Sequence, residues 1–243
     1  MDIGLSNAFD TSPYVNNGVH VPRVTEILSK MLSEDYLMYW AQKMGRYGKD
    51  IDDLRDSAAD KGTIVHSFCE EFLRYRCLPD FSTVPTQYRK QCMNAFHGFM
   101  LWIDNINQNY HWKPIMIEHP LVCDLYGGTC DAVLEIGGKN YLIDFKSSNQ
   151  MSFKYTLQLS AYWDVLVNKY GLDIAGCCVL RFNKYKKDHP EEMMFNLEDP
   201  AMLTYMTSCR DLFITLAKAY WQRMAAENEY KNLTGMRVMG KEE

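Results

Sequence analysis

The hydrophobic period changes in the middle of the chain, and this limits the folds open to it. Three β-rich runs, Ile115 to Cys123, Thr129 to Ile136 and Lys139 to Ser147, are joined by the turn signals Tyr126-Gly127-Gly128 and Gly137-Gly138. Short glycine turns between such runs predict an antiparallel meander. On both sides the apolar residues recur at helical spacing. A first helix is expected from about Val21, with Thr25 or a neighbour as its cap and Ile27, Leu28, Met31 and Leu32 on its apolar stripe. Further helices are expected over Glu34 to Met44, from Ile51 to about Arg76 with a kink at Gly62, and over Pro85 to Asn109. Met93, Phe96, Met100, Leu101 and Ile103 are the expected buried face of the last of these. After the meander, Phe153 to Tyr170 reads as an amphipathic helix closed by Gly171, with Leu157, Ala161, Leu166 and Val167 buried. Ile174 to Phe182 and Glu192 to Leu197 read as strands, and Asp199-Pro200 opens a last helix reaching about Glu229.

This order describes an α/β fold: a central mixed β-sheet flanked by helices, with a helical N-terminal part. Residues 1–20, rich in Asn, Gly, Ser and Pro, are expected as an irregular arm, and 21–243 as one domain. Within that domain the helical part extends to about 110, the core covers about 111–198, and the C-terminal helix about 199–230.

A chain of 243 residues, 47% hydrophobic and 23% charged, can bury a sizeable core. Its apolar runs, such as Cys177 to Leu180, end long before the roughly 20 residues of a membrane span. The start, Met1-Asp2-Ile3-Gly4-Leu5-Ser6, has neither a basic nor a continuous apolar stretch, so no membrane contact and a cytoplasmic location are expected. None of the eight cysteines forms a C-x-x-C pair, and they are expected as buried thiols. The net charge of −5 argues against coating nucleic acid by bulk electrostatics. A local basic groove remains open, and carboxylates that bind metal add to the formal negative charge.

The chemistry centres on Gly127-Gly128-Thr129-Cys130-Asp131 and, beyond the Gly-Gly turn, Ile143-Asp144-Phe145-Lys146. Side chains alternate along a strand, so Asp144 and Lys146 share a face opposite to Ile143 and Phe145. Charges buried there need partners, either each other or a metal ion. If the Gly137-Gly138 hairpin is tight, Asp131 lies directly opposite Asp144, with Cβ atoms roughly 5 Å apart on one sheet face. Facing acids destabilise a sheet unless a cation lies between them, and two hard oxygen donors suit Mg²⁺ or Mn²⁺.

These residues resemble the PD-(D/E)XK nuclease superfamily, in particular its RecB-like and phage-exonuclease branch. Asp131 and Asp144-Phe145-Lys146 match the signature acids and lysine. Gln158-Leu159-Ser160-Ala161-Tyr162 matches a Gln-x-x-x-Tyr on the next helix, and Gly62-Thr63-Ile64-Val65-His66 an upstream Gly-Thr-x-x-His. The similarity covers roughly Val21 to Arg181, with four motifs in the family's order.

The resemblance implies a restriction-endonuclease-like core and a metal-dependent DNA exonuclease of phage or mobile-element recombination, repair or processing. One or two Mg²⁺ or Mn²⁺ ions would be held by His66, Asp131, Asp144 and the Phe145 carbonyl, with Glu118 as a further acid; His66 tilts the preference toward Mn²⁺. Lys146 would position the attacking water or stabilise the transition state, while Gln158 and Tyr162 orient Lys146 or the DNA phosphate. Glu70, four residues after His66, reads as an acceptor for its imidazole or as a solvated acid. A structure- or site-specific DNA endonuclease on the same core and a catalytically silent DNA-binding or regulatory protein are the alternatives. DNA is the implied partner, with room for a single-strand-annealing recombination protein; the oligomeric state is not legible.

Some relatives hold an iron–sulfur cluster on four cysteines. Here no cysteine precedes Cys69, and the neighbours Cys177 and Cys178 point to opposite faces, so no cluster is expected. No Walker sequence accompanies the motifs. Two basic groups with aromatic neighbours are candidates for DNA contact: Arg181, Lys184, Lys186 and Lys187 with Tyr185, and Lys43, Arg46 and Lys49 with Trp40 and Tyr47.

Overall fold

The computed structural model describes residues 12–32, 42–48 and 50–234. Residues 12–20, expected as part of an irregular arm, include a small hairpin, β1 (Val15–Asn16) and β2 (Val19–His20). Its turn is Asn17-Gly18, both residues at positive φ (49° and 80°), as a two-residue hairpin turn of this hand needs. The hairpin docks on the main sheet. Tyr14 Oη lies 2.9 Å from Thr129 Oγ1, and a Cβ at Gly127 would stand 2.4 Å from Tyr14 Cβ.

Helix α1 (Val24–Met31) buries Val24, Ile27 and Leu28. Its N-cap is Arg23, with no side-chain cap bond, so Thr25 sits within the first turn and does not cap. Most of the helix expected over Glu34 to Met44 lies outside the described residues; residues 42–46 are helical. In α2 (Ile51–Tyr75) the Asp50 carboxylate accepts the Asp52 and Asp53 N–H groups at the N-terminus. Gly62, expected as a kink, lies inside this helical run, and an added Cβ there would meet Ser147 Oγ at 3.2 Å. The small residue lets α2 approach the end of the third strand of the meander. In α3 (Thr86–Asn109) the buried face is Cys92, Ala95, Phe96, Phe99, Trp102, Ile103 and Ile106. The expected face was rotated: Met93 is exposed, and Met100 and Leu101 are only partly buried. Phe99 makes edge-to-face contacts with Phe72, Phe145 and Phe182, so aromatic packing outweighs the flexible methionines in choosing the face.

The main sheet is β3 (Trp112–Val122), β4 (Gly127–Ile136), β5 (Lys139–Lys146), β6 (Ile174–Arg181) and β7 (Glu191–Asn196), in that spatial order. All neighbours are antiparallel except β5 and β6, which are parallel and joined by α4 (Phe153–Asn168). The last helix, α5 (Pro200–Thr234), is capped by Asp199 Oδ1 and extends past the expected Glu229. The protein is therefore α/β, a five-stranded mixed sheet between helical layers. One core joins the sheet to α1, α4 and α5; the other joins it to α2 and α3. Covered by α1 and α5, α4 is buried on more sides than an amphipathic helix would be, though Val167 is 36% exposed.

Cys177 belongs to one core and Cys178 to the other, as strand alternation requires. Of the cysteines, Cys77 is exposed and Cys123 half-buried, against the expectation of buried thiols; the other six are buried. No helix among the described residues is long and apolar enough to cross a membrane.

Candidate metal centre

The Gly137-Gly138 turn, with both residues at positive φ, sets the β4–β5 register from Ile136↔Lys139 to Ala132↔Ile143. Continued by one step, that register places Asp131 level with Asp144. The ladder stops first, and Asp131 Oδ2 instead accepts the Phe145 N–H at 2.5 Å. On β4, Cys130 joins the α4 side of the core and Ala132 the α2 side, although residues two apart should share a face. The alternation breaks at Asp131. On β3, Glu118 stands at the same level, between the pairs Ile117↔Ala132 and His119↔Cys130, with φ at +45°. The register alone brings the two acids level on one face, and the irregularity in both strands is what turns that pair toward α2.

From α2, His66 Nδ1 approaches Asp131 Oδ1 at 3.3 Å, and its ring meets Phe145 edge-on with centroids 6.0 Å apart. His66, Glu118 and Asp131 each offer a ligand atom, and these atoms lie within 4.8 Å of one another. The group could hold a metal ion. It opens to a cavity of about 330 Å³ lined by Gly62, Thr63, His66, Ser67, Glu70 and Glu118. Glu70 does not accept from His66 but pairs with Arg74 at 2.8 Å, and Arg74 Nη2 donates to the Ile117 carbonyl at 2.6 Å. Arg74 thus ties α2 to β3 beside the strained Glu118. It escaped the sequence reading although His66, Glu70 and Arg74 follow one another at helical spacing of four.

Asp144, expected as a metal ligand, lies outside this three-residue group and pairs with Lys146 Nζ at 2.7 Å. The approach is off the direction of a hydrogen bond, and the buried Asp144 Oδ2 has no hydrogen-bond partner. Lys146 also stands 5.1 Å from the Tyr155 ring centroid. Tyr155, another residue the sequence reading missed, precedes Gln158 by three positions on α4. Gln158 Nε2 donates to Tyr162 Oη at 3.1 Å, both side chains being buried, so their observed bond is to each other. Phe145 contributes its N–H and ring to the site. An imidazole and two clustered carboxylates, with the Lys146-paired carboxylate of Asp144 nearby, form a donor set that fits a divalent cation.

Burial and the Asp131 charge push the Glu118 carboxyl up to about 7. Burial likewise lifts Asp144 to about 6; Lys146 opposes this and Asp131 adds to it. Burial lowers His66, but the charge and hydrogen bond of Asp131 outweigh it and leave the imidazole raised. Burial opposes ionisation of Asp131 too, yet His66, Lys146 and the Phe145 N–H hold it below its ordinary value. Glu118, Asp144 and His66 therefore bind more protons folded than unfolded as pH rises from about 5 to 8, and stability falls over that interval. The stability from Asp131 is already complete above about pH 4 and does not oppose the fall. In EDTA, the melting temperature is expected to drop by roughly 5 °C between pH 5 and 8, and the drop should shrink in Glu118→Gln. Equal drops in the two proteins would remove Glu118 from this account.

Gly128 shapes the opposite wall. A Cβ there would stand 2.4 Å from Tyr162 Cε1 and 2.6 Å from its Oη. Tyr162 is buried and cannot swing aside freely, so Gly128→Ala is expected to cost roughly 2 kcal/mol, read as a lower urea midpoint. An unchanged midpoint would show that the two groups do not touch.

The basic groups separate. Arg181 is engaged with Glu191 and with the Ser148 and Asn149 carbonyls. Lys184 is buried, while Tyr185, Lys186 and Lys187 are exposed. Lys43, Arg46 and Tyr47 are exposed, whereas Trp40 and Lys49 lie outside the described residues.

No family model matches the chain, and no curated protein matches it. Among solved structures it is similar to a protein called SSO0001, at 16% identity over 63% of this chain and 74% of that one, with a TM-score of 0.27. A likeness that slight carries no argument about fold or function.

Proposed function

We propose that the protein is a divalent-metal-dependent deoxyribonuclease with a restriction-endonuclease-like core, degrading DNA from an end by hydrolysis of phosphodiester bonds. The observation that carries this reading is the convergence of His66, Glu118 and Asp131 within 4.8 Å, beside the buried Asp144–Lys146 pair. These residues come from three consecutive strands and from a helix well before them in sequence. A purely structural ion pair needs no such gathering of acids. The order of the four motifs, and their resemblance to the phage-exonuclease branch, supports DNA as substrate and an end as the point of attack.

His66, Glu118 and Asp131 would hold the cation, with Asp144 supplying a further oxygen. A bound Mg²⁺ or Mn²⁺ supplies the charge that lowers the pKa of an attacking water and offsets charge developing on the phosphate. The imidazole of His66 favours Mn²⁺. Lys146, kept cationic by Asp144 and Asp131 against the opposing effect of burial, places a donor where the transition state gains negative charge. The Gln158–Tyr162 pair walls the site on the α4 side and keeps the amide oriented.

Incubation with end-labelled linear and closed circular DNA, in Mn²⁺, Mg²⁺ or EDTA, tests the reading. The expected result is loss of linear DNA with either metal, none in EDTA, and intact circles. Cut circles would make the enzyme an endonuclease. The absence of metal-dependent cleavage under every condition would falsify the nuclease reading.

A further inference from the structure

Lys184 is 7% exposed, and among the described residues its ammonium has neither an acidic partner nor a hydrogen bond. Burying a cation in this way is costly unless an anion repays it. Burial depresses the Lys184 pKa, and Lys61 and Arg181 lower it further against a smaller opposing effect of Cys92. Burial raises the Cys92 thiol, and the charges of Lys61 and Lys184 both oppose that rise. The unpartnered side-chain atoms sealed from solvent, among the described residues, are Arg89 Nε and Asp144 Oδ2, so the Lys184 ammonium keeps a path to the outside.

The lysine is held in place. Asn94 Nδ2 donates to the Lys184 carbonyl at 3.0 Å, and Asn183 Oδ1 accepts the Tyr185 and Lys186 N–H groups. Gly98 lets α3 close on this loop, since a Cβ there would stand 3.0 Å from the Asp188 carbonyl oxygen.

The position adjoins the metal centre. Arg181 pairs with Lys146 in the sheet, and the Phe182 N–H donates to the Lys146 carbonyl at 2.7 Å. Lys61 immediately precedes Gly62, which abuts Ser147 at the end of β5.

The geometry points to a phosphate-binding subsite formed by Lys184 and Lys61, which takes a backbone phosphate of the DNA strand entering the metal centre. It rests on the deoxyribonuclease reading for the identity of that strand. Arg181 is not its ligand, because Glu191 and two loop carbonyls already occupy the guanidinium. Lys61 has a cation–π contact with Tyr88, at 5.3 Å from the ring centroid, and no carboxylate partner among the described residues.

Binding of a short fluorescent DNA duplex in EDTA tests the subsite without any cleavage. Lys184→Met and Lys61→Met are each expected to weaken binding by about 10-fold at low salt and to reduce the salt slope by about one phosphate. Lys184→Arg should retain most of the affinity, and Lys218→Met, on exposed α5 surface, should match the wild type. Lys184→Met should melt at or above the wild-type temperature, since it removes an unpaired buried charge. Wild-type affinity and salt slope in both methionine variants would overturn the subsite. If Lys184→Met melts lower, Lys61→Met alone decides.

Inorganic phosphate at matched ionic strength should not displace the duplex at concentrations where unlabelled DNA does. Equal competition would make this a free-anion site and sink the assignment to DNA. Binding that depends on Lys184 in a protein that never cleaves would leave the subsite standing and remove the nuclease reading. Cleavage with lysine-independent binding would do the reverse.

Discussion

Asp131→Asn is expected to stop metal-dependent cleavage, with a rate loss of at least about 10³-fold, while leaving the fold intact. That loss corresponds to about 4 kcal/mol of transition-state stabilisation. The carboxylate performs three tasks: it accepts the Phe145 N–H, pairs with His66, and supplies an oxygen to the cation group. An asparagine oxygen can still accept the Phe145 N–H, so β4 and β5 stay joined at the point where their ladder ends. The negative charge is lost, and with it the attraction for a cation. Glu118 and Asp144, both pushed up by burial and further by that charge, should then ionise more easily, so the variant should unfold within about 1 kcal/mol of wild type. The paired measurements are cleavage of linear DNA in Mn²⁺ and the melting temperature with and without Mn²⁺. A wild-type metal-induced rise in melting temperature would remove Asp131 from the ligand set. Retained cleavage would remove it from the reaction.

The meander was legible because its turns carry their own chemistry. Gly137-Gly138 sets the register, and from that register alone Asp131 and Asp144 fall at one level. The resemblance to the Gly-Thr-x-x-His motif is what assigns His66 to the same group from α2, a contact between helix and sheet that local pattern does not encode. What stayed hidden depends on departures from regularity. Strict alternation gives no reason for Cys130 and Ala132 to enter different cores, nor for Glu118 to take a left-handed backbone. Those two distortions let the acids face α2, and they are settled by tertiary contacts such as Arg74 to the Ile117 carbonyl. The buried face of α3 was misplaced for a related reason, because several faces of that helix carry apolar residues and the aromatic partners on α2, on β5 and just after β6 decide among them. Lys184 looks like one solvated charge among several in the sequence; its burial comes from Asn94 and from the close approach at Gly98. The β1–β2 hairpin was readable in principle, since Asn17-Gly18 lies between Val15 and Val19, but each strand is only two residues long.

Lys146→Met should lose cleavage to a similar extent and, unlike Asp131→Asn, should also lose stability in a way that depends on pH. In the wild type, Lys146 lies 2.7 Å from the buried Asp144 Oδ2, an oxygen with no hydrogen bond of its own. Methionine fills similar volume but leaves the carboxylate without its counter-charge. Breaking a buried pair from one side costs about 3–5 kcal/mol when the remaining group stays ionised. Asp144 can escape by taking up a proton. Its pKa, already about 6 beside the lysine, must rise further once the lysine is gone.

The folded variant then holds a proton that the unfolded chain releases above about pH 4. Its stability should therefore decline with increasing pH until the folded pKa is passed, by about 1.4 kcal/mol per pH unit. Urea midpoints should lie near wild type at pH 5 and well below it at pH 8. The double variant Asp144→Asn/Lys146→Met should recover most of the pH 8 stability while remaining unable to cleave, because the amide needs no counter-charge. A double variant as unstable at pH 8 as Lys146→Met would mean that lost packing, not the uncompensated Asp144 charge, governs the site. The Asp144–Lys146 pair would then be structural, and the placement of Lys146 beside the scissile phosphate would lose its electrostatic support.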